Sequence, residues 1–145
     1  MNLAQLLQRA ELIEKKLNER SEAIVFNVLS IAPYLAATGD ALVNLDENKT
    51  GADDFAGQLL IYSADVMMSF YGDGDLPDFP EILKKGVTEK ISGVARVSLI
   101  VASSILSLAQ FQFTGRAAKI LKYTVQAIRL LLAGEKVPTP PADTL

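Results

Sequence analysis

Apolar residues return at intervals of three and four along most of this chain, and Gly and Pro interrupt the rhythm at only a few points. A 3.6-residue repeat gathers such residues on one side of an α-helix, whereas a half-buried strand needs alternation by two. Leu3, Leu6, Ala10, Ile13 and Leu17 form a first stripe, with Glu11 and Lys15 as an i, i+4 pair outside it. The rhythm continues through Ile24, Val28, Ile31 and Leu35. Residues 2–38 therefore read either as one long helix or as two, broken near residues 18–21, where Ser21 is a good N-cap. Pro33 is expected to kink this segment and Gly39 to stop it.

Residues 40–54 read as a loop with a short helical turn near residues 41–45. A third stripe, Phe55, Leu59, Tyr62, Val66 and Phe70, predicts a helix from about Ala52 to Gly72. Asp53 and Asp54 fall in its first turn, facing the positive end of the helix dipole. After a second loop, Pro80 opens a short helix through Ile82 and Leu83. Residues 88–113 are apolar around most of their girth. One face holds Val94, Val97, Val101, Ile105 and Leu108, another Leu99, Leu106 and Phe113, and the polar strip is Arg96, Ser103, Ser107 and Gln110. Such a helix is expected at the centre of its fold. A last helix runs from a Thr114 cap to a Gly134 stop, and the Pro-rich residues 137–145 predict an extended, loose tail. The fold class is thus an all-α, compact bundle of four to six helices with a mostly apolar central helix, in one domain of residues 1–136.

Composition then limits chemistry. The 145 residues include no His and no Cys. That removes the imidazole base, the thiolate nucleophile and the usual transition-metal ligands. No Ser-x-x-Lys and no Gly-rich phosphate loop is present, so neither a Ser–Lys nucleophile nor a phosphate cradle is indicated. Asp53, Asp54 and Asp65 share a helix, but sugar chemistry would need aromatic platforms, and there is no Trp. Asp65 reads as a boundary acid paired with a base from a neighbouring helix. Asp73, Asp75 and Asp78 begin like a calcium loop, yet Asp78 stands where that loop requires Gly and Lys84 where it requires Glu. They are expected to form a solvated acidic loop open to a partner. No catalytic residue, metal or cofactor is assigned.

Charge is segregated. The net charge is −3, but residues 40–81 carry ten acids against Lys49 alone, and residues 82–136 carry nine bases against Glu89 and Glu135. Complementary blocks can pair within a fold or between subunits. Arg116, Lys119, Lys122 and Arg129 form a candidate anion- or partner-binding face on the last helix. Residues 23–39 and 97–115 carry no formal charge, and the second is near the minimum length for a bilayer crossing. Polar groups such as Asn27, Ser30, Gln110 and Gln112 fit a protein interior better than lipid.

The resulting expectation is a non-enzymatic structural or protein–protein interaction subunit that self-associates through apolar helix faces and complementary charged segments. It is placed in the cytoplasm or in an intracellularly assembled particle, because no secretory signal is seen at the N-terminus. The alternatives are a small membrane-active or membrane-embedded helical protein, or a nucleic-acid-binding subunit that uses the basic face.

Overall fold

In the computed structural model, which describes residues 3–20, 23–46 and 48–145, the apolar rhythm resolves into six α-helices. They are α1 (Leu3–Arg20), α2 (Ala23–Val43), α3 (Gly51–Tyr71), α4 (Glu81–Lys84), α5 (Gly93–Ala109) and α6 (Gly115–Ala133). Short 3-10 turns follow at Gln110–Gln112 and Ala142–Thr144. The fold is all-α and compact, with helices packed on helices. Among the described residues the one extended pairing is an isolated bridge between Val87 and Val137.

The first segment is two helices that pack against each other, not one rod. The expected Ser21 cap lies outside the described residues. Helix α2 runs through Pro33 and past Gly39 to Val43. Gly39 was expected to stop the helix; its role is tertiary. A Cβ on Gly39 would lie 2.5 Å from the carbonyl oxygen of Gly57, and one on Gly57 would lie 2.6 Å from that of Gly39. The backbones of α2 and α3 therefore touch, and no side chain fits between them. Lys49 donates from Nζ to the Val43 carbonyl at 3.0 Å, satisfying an acceptor at the end of α2.

Helix α3 is the hub. It contacts each of the other five helices, and its buried residues include Phe55, Leu59, Leu60, Val66, Met67 and Met68 around its whole girth. Its start is specified locally: Thr50 Oγ1 accepts from Asp53 N at 3.1 Å, and Asp53 Oδ2 accepts from Thr50 N at 3.1 Å, a reciprocal capping box. Buried hydroxyls fold back on their own helices. Ser63 donates to the Leu59 carbonyl at 2.8 Å and Thr124 to the Ile120 carbonyl at 3.0 Å, so neither is left unpaired in the core.

Helix α5 is not the centre expected for residues 88–113. It begins only at Gly93, capped by Ser92 Oγ, which accepts from Ala95 N at 3.3 Å. It lies on the flank, against α6, α2 and α3. The reason is a choice that periodicity leaves open. Of the two apolar faces, the Leu99, Leu106 and Phe113 side turns inward, and the Val94, Val97, Val101 and Leu108 side turns outward.

The C-terminal segment is docked, not loose. Val87 and Val137 exchange backbone hydrogen bonds at 3.3 and 3.0 Å. Tyr123 donates its hydroxyl proton to the Pro138 carbonyl at 2.8 Å, and Arg116 Nε donates to the Thr144 carbonyl at 2.9 Å. Gly86, at φ 68°, lets the tail approach: a Cβ there would sit 2.5 Å from the Val137 carbonyl oxygen.

Candidate functional site

The acidic residues singled out in the sequence are dispersed, and most are held by local partners. Asp53 is fully buried, and beyond its cap it accepts from Ser92 N at 2.8 Å, tying the start of α3 to the start of α5. Asp54 lies 3.7 Å from Lys49. Asp65 meets Arg9 of α1 at 3.5 Å and accepts from Ser69 Oγ at 3.2 Å, the boundary pairing expected of it. In the acidic loop, Asp73 pairs with Arg9 at 3.2 Å and its Oδ1 accepts from Asp75 N at 3.0 Å. Asp78 reaches the other way, to Arg116 at 3.9 Å. Among the described residues no three acids gather to hold a metal ion.

The basic face is partly occupied within the protomer. Arg116 is engaged by Thr144 and Asp78, Lys119 pairs with Asp143 at 3.2 Å, and Arg129 Nη2 donates to Ser107 Oγ of α5 at 3.1 Å. Lys119 and Lys122, with Tyr123, Gln126, Pro141, Asp143 and Thr144, line an open groove of about 440 Å³ between α6 and the tail. The four cations therefore do not act as one free patch, and the groove carries its own carboxylate. Of the complementary charge blocks, only the long Arg116–Asp78 contact and the local Lys84–Glu81 pair at 3.3 Å join the acidic and basic segments among the described ion pairs.

Two aromatic clusters hold the loops in place. Tyr62, Phe79 and Tyr123 form a ladder with ring centroids 4.7 and 5.9 Å apart. Tyr62 donates to the Pro77 carbonyl at 2.8 Å, so one phenol pins the acidic loop as Tyr123 pins the tail. Burial raises both phenols: Tyr62 well above the usual phenol range, with Arg116 partly opposing, and Tyr123 to about 12. Phe70, Tyr71 and Phe113 form the second cluster at 4.9 to 5.4 Å, and Tyr71 donates to the Gln112 carbonyl at 2.7 Å. These contacts are architectural.

The largest group of exposed apolar side chains among the described residues lies on the outer surface of α5 and the 3-10 turn that follows it. Val94 and Val97 are each 68% exposed, Leu108 77% and Phe111 82%, with Ile100 and Val101 also exposed. These side chains present roughly 600 Å² of apolar area, the size of the largest patch on a typical monomer. Water around such a surface is released when it is covered, so covering it is favourable. Ser104 lies in the middle of the strip, and its hydroxyl is turned back to the Ile100 carbonyl at 3.1 Å. Arg96 is the one charged side chain on α5. The stripe was visible in the sequence, but its exposure was not, because a helix apolar on both sides gives no signal for which side faces inward.

The chain matches no family model, no curated protein and no solved structure.

Proposed function

We propose that this chain is a non-enzymatic structural or interaction subunit that self-associates, and that the outer face of α5 is its principal contact surface. One observation carries the reading: an uncovered, nearly charge-free apolar strip runs the length of a helix whose opposite side is already packed. The strip is at the top of the size range of the largest apolar patch on a monomer, and such patches are often binding sites. The dispersal of the carboxylates and the local partners of the basic face support a binding role over a catalytic one, since catalysis needs groups that converge on one cleft. Sedimentation or light scattering across micromolar concentrations tests it. A concentration-dependent oligomer that persists at high salt is expected; a monomer throughout overturns the reading.

A second reading has its own observation. The stretch Gly93–Gln112 is long and apolar enough to cross a membrane, and only 28% of that window is buried. Against it, the inner side of α5 is occupied by protein, and the outer strip lacks the Trp of a typical interfacial helix. Carbonate-resistant pelleting with membranes would favour the membrane reading; recovery in the supernatant favours self-association.

A further inference from the structure

Helix α5, with the 3-10 turn and Phe113 that follow it, carries two seams. The inner one, Ala95, Leu99, Ala102, Leu106, Ala109 and Phe113, is buried along its whole length. The outer one, Val94, Val97, Val101, Ser104, Leu108 and Phe111, steps by three, four, three, four and three. That is the a/d spacing of a coiled coil, the pattern a helix shows to another helix running alongside it. A lipid surface favours a broad apolar face and has no use for a strict 3.5-residue seam. At the next positions of the same spacing the seam stops, at Lys90 on one side and Gly115 on the other. The flanking positions, Gly93, Ser98, Ile100, Ile105, Ser107 and Gln112, carry no charge. Two copies of this face therefore meet without like-charge conflict.

The seam also tapers. Its first half holds three valines and Ser104 closes the middle; its second half holds Leu108 and Phe111. Parallel pairing would set Phe111 on Phe111 at one end and Val94 on Val94 at the other, forcing the axes apart. Antiparallel pairing sets Val94 against Phe111, Val97 against Leu108 and Val101 against Ser104, so no layer stacks Phe on Phe or Leu on Leu, and the width is symmetric about a narrower Val101–Ser104 waist. It also opposes the two helix dipoles. Two such faces enclose roughly 1,200 Å², the lower limit of a stable interface. From seam spacing, taper and area together, we infer that the partner is a second copy of this chain, docked α5 against α5 in antiparallel register about a twofold axis between Val101 and Ser104. This rests on the self-association reading above.

The absence of native Cys makes the register directly testable. Val97→Cys and Leu108→Cys are made as separate single variants, each at an exposed site, and oxidised alone and mixed. Residues eleven apart lie roughly 16 Å along a helix, and a disulfide needs Cα atoms within about 7 Å. The mixture is expected to give heterodisulfide dimers in large excess over either variant alone. Leu108→Glu, with an unchanged far-ultraviolet circular dichroism spectrum, is expected to weaken association by roughly a hundred-fold or more, since it buries an unpaired carboxylate in each copy. Strong homodisulfides of each variant would overturn the antiparallel register. A wild-type oligomer whose Cys variants do not cross-link, alone or mixed, and whose association Leu108→Glu leaves unchanged would overturn the α5 seam and leave self-association standing. A wild-type monomer, with or without binding to phosphatidylcholine vesicles, would overturn both.

Discussion

Single residues here show how tertiary context reverses a local rule. Gly to Ala inside a helix ordinarily stabilises by up to about 1 kcal/mol. At Gly57 the added methyl would strike the Gly39 backbone, and an oxygen fixed in a helix cannot rotate aside. Gly57→Ala is therefore expected to destabilise by about 1–3 kcal/mol in urea unfolding. Gly93→Ala, with nothing within 4 Å, is expected to be neutral or slightly stabilising in the same assay. Asp53→Ala removes a cap from α3 and the acceptor for Ser92 N in one step. About 3 kcal/mol is expected, combining the loss of a cap with a buried donor left unpaired. Tyr62 and Tyr123 set the alkaline limit. Their folded pKa values lie above the ordinary phenol value of 10.0, so the native state holds those protons more tightly than the unfolded chain. The stability this contributes is complete below pH 10 and lost as pH rises from there through about 12 and beyond. Phenolate absorbance followed with circular dichroism should show Tyr62 and Tyr123 ionising only as the helices melt.

At the scale of elements, helix ends specified by neighbours in sequence were legible. Gly72 ends α3 and Gly134 ends α6, as turn and cap chemistry predicts; α6 follows Thr114 as expected, although the Thr114 side chain makes no capping hydrogen bond. The α3 stripe was legible too, because Phe55, Leu59, Tyr62 and Val66 are all buried. Roles set by distant parts of the chain were not. Nothing near Gly39 in sequence announces Gly57, and nothing near Asp53 announces Ser92. Helix α5 carries two apolar seams, and propensity cannot choose between them; Arg9 on Asp65 and Asp73 likewise exists only once α1 has docked. The two sides of α5 should separate cleanly by mutation. In dilute monomer, Leu99→Ala is expected to cost about 2–5 kcal/mol of folding stability, as core truncations do, whereas Val97→Ala should stay within about 0.5 kcal/mol, as surface changes do.

For the whole molecule, the hub helix and the docked tail mean that the C-terminal residues help hold the fold. Ending the chain after Lys136 removes buried Val137, the acceptor of the Tyr123 hydroxyl and the acceptor of Arg116 Nε. A loss of about 3 kcal/mol is expected by urea unfolding, mainly from apolar burial and one strong hydrogen bond. The outer strip of α5 has a different standing, since folding of the single protomer does not depend on it. Random drift would turn its valines, Leu108 and Phe111 polar at almost no penalty to the individual molecule. Among diverged descendants of this gene, the strip should therefore decay first if it serves nothing and persist beside the inner seam if each generation has needed it.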